Sequence, residues 1–190
     1  MRFCLERRGS WQKGRGDNVI QRMKFSSLLL AALALLTAAG CNPKVRHSTD
    51  LERKQAANLD SEADFAITLH DFARAEPLLD KATTLCPDVI QGWMKLAAVR
   101  IKLGDKGKAR TAYEGALKAT RAAYAEKPDM AEARIQEVYI LVFLGRADDA
   151  RAALAKAQKA LPDNRELRAF IDSKQLDQLL NDPNLKQLAL

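Results

Sequence analysis

Cysteine and histidine are scarce in this sequence, and their scarcity removes several kinds of chemistry at once. The 190 residues hold three cysteines, Cys4, Cys41 and Cys86, and two histidines, His47 and His70. Neither histidine has a partner at ligand spacing, so no metal site is expected. Three scattered cysteines provide no disulfide framework. Cys86, beside Pro87, reads as a small buried apolar residue at a helix end. Absent too are a glycine-rich phosphate loop, a nucleophile elbow and a cysteine–histidine signature, so neither an enzyme nor a cofactor site is expected. Asp148 and Asp149 fall in the first turn of a helix, where carboxylates complement the macrodipole rather than form a catalytic pair.

Long apolar runs are equally scarce. The one present, Leu28 to Leu36, is nine residues long. As a helix it measures about 13 Å, whereas a bilayer core of about 30 Å needs roughly 20 apolar residues. Lys24 precedes it and small residues follow, which is the layout of a secretory signal over residues 23–40. The 22 residues before Met23 show no apolar period and read as a disordered upstream extension, with translation expected to begin at Met23.

A lasting excess of positive charge is missing as well. The formal net charge is +7 and the sequence pI about 9.4, values that alone would suggest nucleic acid. Residues 1–40 account for most of it, with seven Lys/Arg against two Asp/Glu. That leaves 24 basic and 22 acidic residues over 41–190. The domain beyond the leader is nearly neutral, and no nucleic-acid partner is expected.

What is present begins with Ala38-Ala39-Gly40-Cys41. This stretch resembles the lipobox of bacterial lipoproteins, with Ala38 standing where leucine is commoner. The resemblance implies a diacylglyceryl thioether on Cys41, cleavage before it, and attachment to a membrane through that lipid. Small side chains admit the peptidase, and only a thiol forms the thioether. One acyl chain gives marginal binding and two or three a lasting anchor. Asn42 follows the cysteine in place of the aspartate that favours the inner membrane. The resemblance therefore implies the bacterial cell envelope, at the outer membrane and facing the periplasm. Residues 41–50 form the tether, and Thr49 with Glu52 has capping-box spacing, which predicts a helix starting near Leu51.

An internal period fills the rest. Ala75, Leu79 and Ala82 recur as Ala109, Tyr113 and Ala116, and again as Ala150, Leu154 and Ala157. The spacing of four and then three puts each trio on one helix face. Gly104 and Gly145 suit the reversals between paired helices. Pro87, Pro128 and Pro162 mark the next junctions, 41 and 34 residues apart. The seven extra residues are about two helical turns, so the second helix of the middle unit is expected to be longer.

With Trp93, Leu96 and Ala97 added, this pattern resembles the tetratricopeptide repeat, a 34-residue helix-turn-helix unit. Leu59 and Arg134 stand where that family has tryptophan, Glu62 and Glu137 where it has leucine, and Arg100 where it has tyrosine. The resemblance implies an all-α, right-handed α-solenoid of about three repeats over 51–162, closed by a C-terminal capping helix and tail over 163–190. The cap is expected to use Leu167, Phe170 and Ile171, and the tail to form two short helices broken at Pro183.

In this family the first helix of each pair lines a concave groove that holds a protein or peptide. That implies a partner-binding groove made by Met94, Lys95, Lys102, Ile135, Gln136, Tyr139, Val142 and Phe143. Tyr139, Val142 and Phe143 face either a partner or the leucines of the tail. The expected function is a non-enzymatic interaction module tethered by lipid, a scaffold or assembly factor of an envelope complex. An accessory subunit of a cell-wall or secretion enzyme is the alternative.

Overall fold

A computed structural model describes residues 45–183 and 185, and all regular structure among them is helical. The signal segment and Cys41 lie outside the described residues. Among the described residues eight helices follow one another: α1 (Asp50–Thr68), α2 (Phe72–Leu85), α3 (Ile90–Lys102) and α4 (Lys106–Glu126), then α5 (Ala131–Phe143), α6 (Ala147–Ala160), α7 (Arg165–Asp172) and α8 (Gln175–Asn181). Loops of two to four residues force each helix back along its predecessor, and consecutive helices pack together. The result is an α-solenoid of stacked hairpins.

Local chemistry sets the boundaries. α1 opens on the expected capping box: Thr49 Oγ1 accepts from the Glu52 amide at 3.3 Å, and the Thr49 amide donates to Glu52 Oε2 at 2.8 Å. Asp71, Asp105 and Asn164 cap α2, α4 and α7 through their side chains. Every hairpin turn carries one left-handed residue: His70 (φ 61°), Gly104 (φ 78°), Gly145 (φ 71°) and Lys174 (φ 52°). Glycine occupies that conformation without a Cβ clash, and histidine and lysine do not. Lys174 shows that the expected capping helix is the first half of a shortened fourth hairpin, α7–α8.

The alanines work as spacers. Ala75, Ala112, Ala116 and Ala150 are fully buried beside Leu79, Leu96 and Ile140, so backbones approach closely and leucines fill the gaps. Gly115 is required for a similar reason: a Cβ there would lie 2.7 Å from the Trp93 ring.

The departures from the repeat pattern compensate one another. Trp93 Nε1 donates to the Pro87 carbonyl at 3.0 Å. Arg134 does the same to Pro128 at 3.2 Å, and Arg168 to Pro162 at 3.0 Å, each across the same six-residue offset. An arginine thus replaces the indole as donor at the later junctions. Glu137 is buried, but it accepts from Arg121 Nε at 2.7 Å and from the Tyr124 hydroxyl at 2.9 Å. Both partners lie in the extension of α4, which has 21 residues against 14 in α2 and in α6. The Arg134 guanidinium stacks 4.7 Å over the Tyr124 ring. Arg100, buried in α3, donates to Glu76 at 3.0 Å and Asp80 at 2.6 Å in α2. Among the described residues no buried side-chain polar atom lacks a partner.

At the far end Leu167, Phe170 and Leu176 are buried, and α8 packs on α5 and α7. α8 stops at Asn181, two residues before Pro183.

Candidate functional site

The expected groove residues come from α3 and α5, and the structure treats the two groups differently. Met94 is half-buried against the core and Lys102 is exposed. Lys95 crosses to α1, donating to Asp60 Oδ2 at 2.8 Å and to Asp64 Oδ1 at 2.7 Å. Burial alone would lower its pKa, but the two carboxylates outweigh burial and raise it. Two carboxylates on one ammonium leave this bridge net negative.

On α5, Ile135 and Gln136 are half-buried, and Gln136 spends its amide on Glu132 at 3.3 Å. Val142 is buried, so it is a core residue and not part of an open wall. Phe143 stacks on Tyr113 of α4 with ring centroids 5.3 Å apart. Tyr139 meets Phe170 of α7 edge to face at 5.7 Å. The rear of the expected wall is therefore largely occupied by the chain's own α4 and α7. The reason is physical: three large apolar groups on one helix bury more area against neighbours than solvent allows.

Open volume lies elsewhere, in one space of about 240 Å³ between α6 and α7, bordered by Leu161, Leu167 and Ile171, and in a larger one at the front. A cavity of about 270 Å³ sits where the start of α1, the end of α2 and the start of α3 meet. Ala56, Ala82, Cys86 and Gly92 form its small-residue walls, with Arg53, Asp60, Gln91 and Lys95 also lining it. Cys86 is buried as expected, and it lines this space rather than filling it. The space exists because alanine, glycine and cysteine occupy positions where a leucine would close it. Its volume suits a bulky apolar side chain, and the charged neighbours are already paired: Arg53 with Asp88 at 2.5 Å, Lys95 with Asp60 and Asp64. Of the first-helix positions that the repeat geometry turns toward a groove, Asp60, Gln91 and Lys95 touch this cleft. The signal that would have found it is a run of small residues on three facing helix ends with no large counterpart.

Among the described residues, no group of three or more His, Cys, Asp or Glu is arranged to hold a metal ion, and no helix is long and apolar enough to cross a membrane.

Two family models, each described as Tetratricopeptide repeat, match residues 90–122 and 109–172. Residues 90–172 carry tetratricopeptide repeats. The matched stretch runs from α3 through α7, so the first hairpin, which supplies half of the cleft, precedes it. No curated protein matches the chain. Among solved structures it is similar to the Yersinia enterocolitica type III secretion chaperone SycD, in complex with a peptide of the translocator YopD. The identity is 16%, with 73% of this chain and 99% of that chain covered and a TM-score of 0.44.

Proposed function

We propose that this protein is a non-enzymatic interaction module that holds a partner's peptide segment in its concave face. We further propose that lipid on Cys41 ties it to the bacterial outer membrane, facing the periplasm, as a scaffold or assembly factor of an envelope complex. The observation that carries the binding part is the cleft between the first two hairpins. Tetratricopeptide arrays are protein-binding folds, and here a preformed apolar space with a polar rim opens between them. The net negative bridge at Asp60, Lys95 and Asp64 favours a segment with a basic residue beside its apolar anchor. The membrane part is supported by the lipobox-like run Ala38 to Cys41 and by Asn42 after it.

The test has two arms. Cross-linked capture from envelope extract is compared between the wild type and Ala56→Leu, which fills the cleft, with thermal unfolding as the control on folding. Loss of the captured species at unchanged stability supports the assignment, and equal capture refutes it. Intact-mass analysis of the membrane-extracted protein reads the anchor separately: an acylated N-terminal Cys41 is expected, and Cys41→Ser is expected to release the protein from the membrane fraction.

A further inference from the structure

The segment Val45–Thr49 has no regular structure, yet it is fastened along one edge of the array. Arg46 makes a bidentate pair with Glu52, both oxygens at 2.9 Å, and its second amino group donates to the Leu85 carbonyl at 3.0 Å. The Ser48 hydroxyl donates to Asp88, and the Ser48 amide reaches the same carboxylate at 3.4 Å. His47 Nε2 lies 2.9 Å from Glu126 Oε1. Leu85 ends α2, Asp88 lies in the α2–α3 junction, and Glu126 ends α4. The strap therefore runs along the edge where the second helices of the pairs end.

Arg46 and the Thr49 amide and hydroxyl hold the Glu52 carboxyl at about 2. Burial pushes Asp88 up, but the bonds from Ser48 outweigh it and leave it below the ordinary carboxylate value. Both anchors are thus ionised at neutral pH.

The helices alternate in direction, so this junction edge is opposite the edge bearing the turns at His70, Gly104 and Gly145. The α2 length of 14 residues separates the two edges by about 20 Å. Cys41 precedes Val45 by four peptide steps, which span at most about 14 Å by covalent geometry alone.

We infer that Val45–Thr49 is an orienting strap that turns the junction edge of the array toward the phospholipid surface and its hairpin turns away from it. This rests on acylation of Cys41. Without the strap, nine peptide steps would separate the anchor from α1 and the array would tumble on a reach of about 30 Å. With it, the cleft opens on the membrane-proximal side, because it is built from the same ends of α1, α2 and α3. The partner is then one that presents its binding segment close to the bilayer.

The test uses the full chain extracted from bacterial membranes and reconstituted into phosphatidylethanolamine/phosphatidylglycerol vesicles that carry a headgroup acceptor dye. Single donors are placed at Asp129→Cys on the junction edge, at Gln91→Cys beside the cleft, and at Arg74→Cys on the turn edge; Cys86 is buried. Energy transfer from Asp129→Cys and Gln91→Cys is expected to exceed that from Arg74→Cys by about twofold or more, given the ~20 Å between the edges. Adding Arg46→Ala and Ser48→Ala, with the thermal midpoint as control, is expected to erase that difference. Equal transfer from all positions in acylated protein overturns the orientation. A difference that survives the two alanines overturns the strap as its cause. A mass without acyl groups overturns the tether itself, and the orientation with it.

Discussion

The front and rear of the array use one hairpin geometry and line the spaces between their helices differently, although each keeps an open volume, about 270 Å³ at the front and about 240 Å³ between α6 and α7. At the rear, Tyr113 stacks on Phe143 and Tyr139 meets Phe170, so aromatic rings close the space between α4, α5 and α7. At the front, Ala56, Ala82 and Cys86 form a separate small cluster, and about 270 Å³ stays open beside it. Turn residues and alanine spacing thus fix how the helices stack, while side-chain size decides whether the interior is filled. Stacked rings contribute stability, and a space walled by small apolar residues can accept a ligand.

The strongest way to break that contrast is the same truncation at both ends. Phe170→Ala removes a buried ring from the rear and is expected to cost about 3–5 kcal/mol. Phe65→Ala removes a ring that is 59% exposed on α1 and should change stability by less than about 0.5 kcal/mol. Chemical denaturation of both variants measures the difference. Similar losses would mean that something covers Phe65 at the front.

Between the ends, Gly115→Ala sharpens the account of the middle hairpin. Its new Cβ would fall 2.7 Å from the Trp93 ring, which must move and strain its bond to the Pro87 carbonyl. A loss of about 1–3 kcal/mol is expected, typical of overpacking. Trp93 fluorescence should shift along with the unfolding midpoint, and an unchanged midpoint would show that the indole is loosely held.

Much of this architecture was legible in the sequence. Alanine and glycine spacing located the hairpins, the 41-residue proline interval located the longer α4, and Thr49-x-x-Glu52 located the start of α1. Those signals are local and periodic. What escaped was pairing between distant residues. Glu137 reads as a misplaced carboxylate until Arg121 and Tyr124 are seen beside it, and Arg134 reads as a lost tryptophan until its bond to Pro128 appears. The capping helix and the short helix before Pro183 were expected, but their pairing as a fourth hairpin escaped because Lys174 holds a conformation that sequence reading assigns to glycine. On the candidate site the two readings of Tyr139, Val142 and Phe143 stayed open in the sequence, because hydrophobicity alone does not say whether a face meets a partner or its own chain; Val142 is buried. The cleft was hidden for the converse reason, since it is defined by side chains that are too small to attract attention.

The first hairpin differs from the next two at its turn, and that difference is testable. His70 holds φ 61° where Gly104 and Gly145 stand in the other two, with a ring edge-on to Phe72 at 6.0 Å. A non-glycine residue in the left-handed region costs roughly 1–2 kcal/mol, partly offset by the smaller entropy it loses on folding. His70→Gly should therefore stabilise the protein by about 0.5–1 kcal/mol, read as a rise in the thermal midpoint. A fall would show that the ring contact outweighs the backbone strain.

The first and middle hairpins should also weaken at opposite limits of pH. At the front, Arg46 and then Thr49 hold Glu52 at about 2 against an ordinary 4.5. A depressed carboxyl favours the folded state above its unfolded pKa, and that contribution is lost as pH falls from 4.5 through about 2. In the middle hairpin, burial and then Glu137 push the Tyr124 phenol up to about 12 from 10. A raised phenol favours the folded state below 10, and the contribution is lost as pH rises from 10 through 12. Because Glu52 lies at the surface, half-buried, its effect is small, and it is best followed as the carboxyl carbon resonance during an acid titration, with Tyr124 followed by phenolate absorbance at alkaline pH. Arg46→Ala should return the Glu52 midpoint toward 4.5 and leave Tyr124 at about 12. If both midpoints moved together, the first hairpin and the α4–α5 network would be coupled through the stack, and treating them as independent would be thermodynamically false.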